Sequence, residues 1–569
     1  MKQLDLVEAN ETKKEAISGR MVLSMLGSNF DQFIVLPVDR TRGEMKRKNF
    51  MAKLKVSDQI IVGQEEKEEA VWDFYSNLLG VAAEHNYTLN LQIFLQGSRD
   101  LSALDAFFSE DKVWAAIKSL PADKALGPDG YTGVFYKSCR PIIKGDTLAA
   151  LIKSAGDISK LHLLNSAYIT LLPKTADAFK VKDYRPISLV HSFAKLVTKI
   201  LANCLAPHLK ELSAFVKGRC ILDNFILVQQ TAKVLYREKE HRVLLKLDIS
   251  KAFDSVSWAF LLQVLRHRGF GPVWCSILSK LLVSSTTRIL VNGVPGEPIQ
   301  HHRGLCQGDP LSPMLFIIIM DVLNALINRA SDSGLLQPIL TSGPTQRVSL
   351  YVYDVVLFLR PCTEDLVLTK EILEVFGDAL GLVTNISECT MTPIHCLEQD
   401  ISDVQASLGC KVQDFPCRYL GLPLSVKKLP KAEFYAIVDK IVDMLLGWKA
   451  TMLHPAGGMT LVQSVLMAIR IYQLMALDLP KWGRKEINGG HYLVAWGRVQ
   501  RPLHLGGLGI LDLATMGWAL KMRWLWLKKT QLDRLWASID IHVTPQFHGH
   551  VSHLNFFRGG RWQHNTFLE

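Results

Sequence analysis

The residues from Leu350 to Phe358 form an apolar, strand-like run that is interrupted by a single carboxylate, Asp354. A second carboxylate, Asp248, ends the β-rich stretch that begins at Val243, and it lies 354 − 248 = 106 residues upstream. A helical pattern begins near Ser257, so Asp248 lies where a strand passes into a loop. Alone, such an aspartate is more often a turn or cap residue than a ligand. The two carboxylates can act together only if the fold brings them together.

Four strand-like segments lie in the central part of the chain, near residues 167–172, 243–248, 287–291 and 349–359, and helical patterns separate them. Helices gathered between antiparallel strands are typical of α+β proteins. The sequence therefore predicts a mixed α/β fold class, in the α+β sense. At 569 residues, 48% of them hydrophobic, the chain has enough core for two or three domains.

A loop rich in glycine and proline, Arg303–Pro313, opens onto an apolar helical segment that continues to Ile327. Backbone N–H groups at the start of such a helix, together with Gln307, could face a nucleotide. The alternative is that the loop simply begins the helix. The segment Leu311–Ile327 contains a proline and Asp321, and we expect it to fall short of a membrane span.

A net charge of +11 and a pI near 9.0 favour a polyanionic partner, although many basic proteins bind no nucleic acid specifically. The stretch Asp5–Arg20 is polar and charged and does not have the pattern of a signal peptide. We therefore expect an intracellular protein, in the nucleus or the cytoplasm, without a transmembrane segment.

The ten cysteines form no repeated short pair. Their densest group does not match the usual spacing of zinc ligands, so reduced and mostly buried thiols are expected rather than a metal site. That group comprises Cys389, His395, Cys396, Cys410 and Cys417.

After residue 430 the chain becomes helical and rich in tryptophan. Tryptophan can stack on unpaired bases, but the spacing of Trp518, Leu520, Trp524 and Leu527 favours a packed helix face.

Several short segments follow one another in an order that is more specific than any of them alone. Together with the runs around Asp248, Gln307 and Asp354, they resemble the reverse transcriptases of non-LTR (LINE-type) retrotransposons, most closely those of plant genomes. The resemblance covers nearly the whole chain. The segments are Leu126–Tyr131, Ile169–Lys174, Asp183–Leu189, Phe215–Arg219 and Tyr419–Leu424.

The resemblance implies a right-handed polymerase fold with fingers, palm and thumb, and with helical extensions at both ends. We expect a helical N-terminal extension over residues 1–100, fingers and palm over 101–425, and a thumb-like, Trp-rich region over 426–569. Relatives usually carry an endonuclease domain before this region. This chain begins after that domain would have ended, so an endonuclease could act in trans.

The resemblance also implies the site residues. Asp248 and Asp354 would be the catalytic residues and the metal ligands, holding two Mg²⁺ ions, with Mn²⁺ as an alternative. Such ions, ~3.5–4 Å apart, stabilise the attacking and leaving oxygens of an in-line displacement, and Mg²⁺ prefers oxygen ligands.

Further residues would bind the nucleotide, the primer and the template. Arg185 would bind the triphosphate bidentately. Phe253, five positions after Asp248, would crowd a ribose 2′-OH and so select deoxynucleotides. The remaining matches are Gln307 and Gly308 near the template–nucleotide pair, and Lys174, Arg219, Tyr419, Leu420 and Gly421 at the primer and template.

Three departures from the family pattern affect this site. The family has Ala-Asp-Asp where this chain has Val352-Tyr353-Asp354, and a neutral phenol with a reference pKa of about 10 cannot supply the lost charge. Glu388 stands where a lysine would neutralise the leaving pyrophosphate, and Cys306 stands where an arginine is usual.

The implied activity is that of an RNA-directed DNA polymerase that uses an RNA template, a DNA primer and deoxynucleoside triphosphates. Because of the three departures, a catalytically inactive polymerase fold that still binds RNA or an RNA–DNA hybrid stays open as the alternative. An unrelated basic interaction protein is disfavoured, since the ordered motifs would then be coincidental.

Overall fold

The computed structural model describes residues 50–435, apart from gaps at 83–88, 96–99, 107–108, 122–126, 157–163, 176, 210–219, 250 and 341–345. It also describes 467–477, 496–510, 513–532 and a few residues between 534 and 539. Most of the predicted N-terminal extension and of the Trp-rich region, and the site candidate Arg219, lie outside the described residues.

The central sheet has five strands in the order β11-β10-β5-β9-β8. At its centre β5 (Arg242–Leu247) pairs with β9 (Asp354–Leu359) in antiparallel register, with Leu247 opposite Val355. Both strands are almost continuously apolar and buried, which is typical of strands covered on both faces. The outer strands are β8 (Val348–Tyr351), β10 (Thr390–Ile394) and β11 (Lys411–Val412).

A second sheet has four strands in the order β4-β3-β6-β7. They are β3 (Ser166–Pro173), β4 (Tyr184–Val190), β6 (Thr286–Val291) and β7 (Val294–Gln300). The predicted strands near 167–172, 243–248, 287–291 and 349–359 are thus confirmed, the last as the two strands of a hairpin.

The described part of the N-terminal extension contains strands as well as helices. A hairpin of β1 (Leu54–Val56) and β2 (Gln59–Ile61) precedes the helix Gln64–Leu79. Leu54, Val71 and Tyr75 form one core with Ile169 and Ile289 of the four-stranded sheet. The extension is therefore packed onto that sheet, and the domain boundary near residue 100 stays a prediction.

Helices cover both sheets, which confirms the mixed α/β class. The helix predicted near Ser257 begins at Trp258, and the Ser257 hydroxyl accepts from the backbone N–H of Phe260 as its cap. The described helices are Gln64–Leu79, Leu91–Phe94, Glu110–Ser119, Gly133–Ser138, Arg140–Gly156, Ser192–Leu205, Ile221–Arg237, Trp258–His267, Pro272–Val283, Ser312–Asp332, Thr363–Leu380, Glu398–Leu408, Met467–Ala476, Trp496–Val499 and Leu513–Thr530.

The helix Ser312–Asp332 runs five residues beyond its predicted end at Ile327. By length and composition it could cross a membrane, contrary to our expectation, but most of its apolar stretch is buried inside the protein. Its Asp321 is paired with Arg268 of a neighbouring helix.

The end of the described chain is anchored to the core by a buried ion pair. Asp223, near the start of the helix Ile221–Arg237, accepts from Arg534 Nη1 at 2.5 Å and from Trp536 Nε1 at 2.8 Å. Trp524 and Leu527 are also buried, which confirms the packed face for these two residues, whereas the side chain of Trp518 lies outside the described residues.

We expect Asp223→Ala to lower the free energy of unfolding by about 3–5 kcal/mol, because the buried Arg534 guanidinium loses its counter-ion. Replacing both partners, as Asp223→Ala with Arg534→Met, should cost less than Asp223→Ala alone. Urea unfolding measures both, and Glu374→Gln in the exposed Lys370–Glu374 pair is the control, at about 1 kcal/mol or less. If all the variants lowered the free energy of unfolding by the same small amount, the buried Asp223–Arg534 pair would not anchor the end of the described chain.

Candidate active site

Asp248 and Asp354 come together at the end of the β5–β9 pairing. Because Leu247 lies opposite Val355, the same register places Asp248 opposite Asp354. Side chains alternate along a strand, so both carboxylates are on the face that also carries Leu244. Burial raises the pKa of Asp354, with Lys246 opposing that shift and the charge of Asp248 adding to it. The fold therefore brings together the two carboxylates that sequence reasoning paired.

The backbone of Asp248 is held by the segment that precedes β10. Its N–H donates to Cys389 Sγ at 3.3 Å, and its carbonyl accepts from the N–H of Asn385 at 2.8 Å. Glu388 lies in the same segment and is paired at 2.8 Å with Lys411, which holds its pKa below the usual range. The reversed charge at Glu388 is thus matched by a neighbouring lysine.

Sequence reasoning placed Tyr353 inside a strand. In the structure it lies instead in the turn of the β8–β9 hairpin. Tyr351 and Asp354 pair across the turn, and Val352 and Tyr353 connect them. Val352 has φ of 58°, a strained left-handed conformation for a β-branched residue. Tyr353 is 51% exposed, next to Asp354.

The donor set fits two divalent cations poorly. Within the described part of the chain, no group of three or more His, Cys, Asp or Glu side chains is arranged to hold a metal ion. Asp248 and Asp354 stand opposite each other, but Tyr353 brings no carboxylate. In addition, Lys246 Nζ lies 3.9 Å from Asp354 Oδ1.

The loop Arg303–Pro313 is fastened on two sides. Leu305 N–H donates to the carbonyl of Phe253 at 2.7 Å, and the Gln307 carbonyl accepts from Ser188 N–H of β4 at 3.1 Å. Gly308 has φ of 106°, and a Cβ there would lie 3.0 Å from the Ser188 carbonyl, so glycine is required. Gln307 and Gly308 are therefore fixed between the two sheets.

The same loop also begins the helix Ser312–Asp332, which was the alternative interpretation of this segment. The Asp309 carboxylate accepts from the N–H groups of Leu311 at 3.0 Å and Ser312 at 2.9 Å. Cys306 packs against an apolar cluster, and burial raises its pKa to about 12. A thiol therefore occupies this site without charge.

Phe253 lies under the loop, and its ring stacks on Phe316 with 4.6 Å between centroids. The Phe253 side chain is buried. Arg185 is exposed on β4, while Lys174 donates from Nζ to the carbonyl of Lys182 at 2.7 Å. Together with Lys180, these basic residues surround the β3–β4 connection.

The segment Tyr419–Pro423 forms the predicted hairpin, between β12 (Cys417–Tyr419) and β13 (Leu422–Leu424). Leu420 and Gly421 both have positive φ, as a two-residue turn requires. Tyr419 itself is only 1% exposed, and its hydroxyl lies 3.1 Å from Ser349 Oγ of β8. The Tyr419 side chain is thus packed beneath the hairpin, while Gly421 is exposed, and the primer contact stays a prediction.

Sequence reasoning gave Lys246 no role. The position of Lys246, two residues before Asp248, gives it the same strand face, which the period of a strand could have indicated. Asp254 acts electrostatically on Tyr75 of the helix Gln64–Leu79, a contact that no local pattern reveals.

Residues 172–424 match the family model described as reverse transcriptase (RNA-dependent DNA polymerase). This range contains every site candidate discussed above and both sheets except for most of β3.

Three relatives are similar to this chain over different lengths. A 149 kDa uncharacterized protein of transposon TX1 from Xenopus laevis is 27% identical over 420 residues, which cover 70% of this chain and 32% of that protein. The Pol polyprotein of the type-2 retrotransposable element R2DM from Drosophila melanogaster is 29% identical over 293 residues, covering 49% of this chain and 27% of the polyprotein. An uncharacterized mitochondrial protein of Arabidopsis thaliana is 43% identical over 60 residues, 10% of this chain and 49% of that protein. The chain thus spans about a third of the length of the first two relatives.

Asp254 lies in a covered turn after Asp248. Burial raises its pKa to about 6, although the charge of Lys251 opposes the shift. Lys251 Nζ lies 4.4 Å from the ring centroid of Phe74, on the helix Gln64–Leu79. The N-terminal extension therefore covers the turn that leaves the candidate site.

We expect Asp254→Asn to gain stability relative to the parent as the pH rises from about 4 to about 6. The pKa of Asp254 is higher in the folded state than in the unfolded state, so between about pH 4 and pH 6 the folded parent holds a proton that the unfolded chain has lost. As the pH rises through this range the folded state also loses that proton, and the parent loses stability. The difference should reach about 3 kcal/mol. Urea unfolding at pH 4 and pH 7 checks it, and a difference that does not change with pH would contradict the buried position.

Proposed function

Since residues 172–424 belong to the reverse transcriptase family of non-LTR retrotransposons, we propose that the chain is the RNA-directed DNA polymerase of a LINE-type element, with impaired chemistry. The observation that carries the proposal is the register of β5 against β9, which sets Asp248 opposite Asp354. Converging carboxylates at the edge of a covered sheet suit nucleotidyl transfer.

The proposed cofactor is Mg²⁺, or Mn²⁺ in its place, and Asp248 and Asp354 would hold it. Bound divalent cations stabilise the charge that develops on the attacking and leaving oxygens. Tyr353 leaves the donor set one carboxylate short, and this deficit would account for the impairment.

The proposed substrates are an RNA template, a DNA primer and deoxynucleoside triphosphates. Arg185, exposed on β4, would bind the triphosphate, and the fixed backbone at Gln307 and Gly308 would lie along the nucleotide. Phe253, held by Phe316, would crowd a 2′-OH. The protein would act in the nucleus or the cytoplasm.

The second candidate is a polymerase fold that binds RNA or an RNA–DNA hybrid without extending it. Two observations favour it: Tyr353 beside Asp354, and the Glu388 carboxylate where the family pattern has a cation. Both leave the sheets and the exposed basic residues intact, so binding can outlast catalysis.

Tyr353→Asp should restore DNA synthesis that is absent or severely reduced in the parent. Losing a group that stabilises transition-state charge commonly costs on the order of 10²–10³ in rate, and the exposed turn has room for the new carboxylate. Primer extension on an RNA template measures the gain. Tyr353→Asp with Glu388→Lys should exceed either single variant.

The control is Tyr353→Asn, which removes the bulk of the phenol without adding charge and should restore far less. Asp354→Asn in the restored variant should abolish extension. If the parent extended a primer as fast as the double variant, the proposed impairment would be wrong.

Binding to a primer–template duplex should weaken steeply with added salt, because Lys174, Lys180, Lys182, Arg185, Lys217 and Arg219 would lie along the phosphates. Filter binding from 50 to 200 mM salt should show a log–log slope whose magnitude decreases by about two units when Lys180 and Lys182 are both changed to Gln, because each lysine that neutralises a phosphate releases about one counter-ion. Lys370→Gln, on an exposed helix away from these residues, should leave the slope unchanged. A salt-independent affinity would exclude this groove.

A further inference from the structure

Lys246 extends into the candidate site from strand β5 of the central sheet. It precedes Asp248 by two residues on β5, so both side chains lie on one face of the strand. Its ammonium is 3.9 Å from Asp354 Oδ1 and 3.5 Å from the carbonyl oxygen of Arg418 on β12. The Lys246 and Asp354 side chains are about equally exposed, 35% and 32%, so each is partly shielded from water.

The charges at this end of the sheet are unevenly balanced. Asp248 and Asp354 bring two negative charges, Lys246 brings one positive charge, and Tyr353 brings none. A divalent cation that approaches Asp354 is therefore attracted by the carboxylates of Asp248 and Asp354. It is repelled by the Lys246 ammonium, which already lies beside Asp354. Coulomb repulsion at such distances is large in a partly shielded site.

We propose that Lys246 is the internal counter-ion of Asp354 and competes with a divalent cation for that carboxylate. In this chain the Lys246 ammonium supplies positive charge that a second metal ion would otherwise bring. A site that lacks one carboxylate tolerates this replacement. The inference rests on the proposed function, because it concerns the same carboxylate, but it describes an equilibrium that exists without nucleic acid and without turnover.

Mn²⁺ binding to the purified full chain, followed by electron paramagnetic resonance of the free ion, tests the proposal. Lys246→Gln should bind Mn²⁺ about five- to tenfold more tightly than the parent, since a partly exposed ion pair is replaced by a neutral amide. Lys246→Met, which keeps the aliphatic stem, should show the same gain. Lys246→Arg, which keeps the charge, should bind like the parent.

Two further variants make the test specific. Lys370→Gln removes one positive charge from an exposed helix pair and should leave Mn²⁺ affinity unchanged. In an Asp354→Asn background, Lys246→Gln should give no gain, because the carboxylate for which the two cations compete is absent. An equal gain in that background, an equal gain from Lys370→Gln, or no gain from Lys246→Gln and Lys246→Met would each overturn the proposal.

The outcome is separable from that of the proposed function. If Tyr353→Asp failed to restore primer extension while Lys246→Gln still bound Mn²⁺ more tightly, the counter-ion role would stand and the polymerase proposal would fall. If extension were restored and Mn²⁺ binding did not depend on Lys246, the reverse would hold.

Discussion

The antiparallel pairing of β5 with β9 is the constraint on which the rest of the structure depends. It joins two apolar strands that lie about a hundred residues apart in the chain, and its register alone decides that Asp248 faces Asp354. A shift of one residue would turn one carboxylate to the opposite face and bury it. Because these strands are largely buried, a shift in register would also require their apolar side chains to repack.

The charges around this pairing are partly compensated. Glu388 is matched by Lys411 on the neighbouring strand β11, and Asp354 is matched by Lys246 on β5. Tyr353 is accommodated because it lies in an exposed turn, where a phenol displaces nothing from the core. The departures from the family pattern therefore affect the electrostatics of the site far more than its framework.

The flanking parts of the chain are tied to this framework by a few specific contacts. Arg303 Nε donates to the Leu78 carbonyl at 2.6 Å and so fastens the end of the helix Gln64–Leu79 to the loop that carries Gln307. At the other end, Tyr472 donates its hydroxyl to the Leu420 carbonyl at 2.7 Å, and Arg534 pairs with Asp223. The loop and the hairpin beside the carboxylates are thus held from both ends of the described chain.

The sequence by itself determined four of the strand regions, the helix that begins near Ser257, the apolar helix after Pro313 and, through the order of the motifs, the pairing of Asp248 with Asp354. These follow from local periodicity, from turn residues and from the order of the motifs, all of which are written in short stretches of the chain. Tertiary structure decided what those stretches could not contain: that Tyr419 is buried against Ser349 and Tyr353 lies in the turn, that Lys246 reaches Asp354, and that Asp254 is covered by the helix carrying Tyr75. Burial and charge pairing depend on which distant elements pack together, and a single strand or loop specifies only its own side of such a contact.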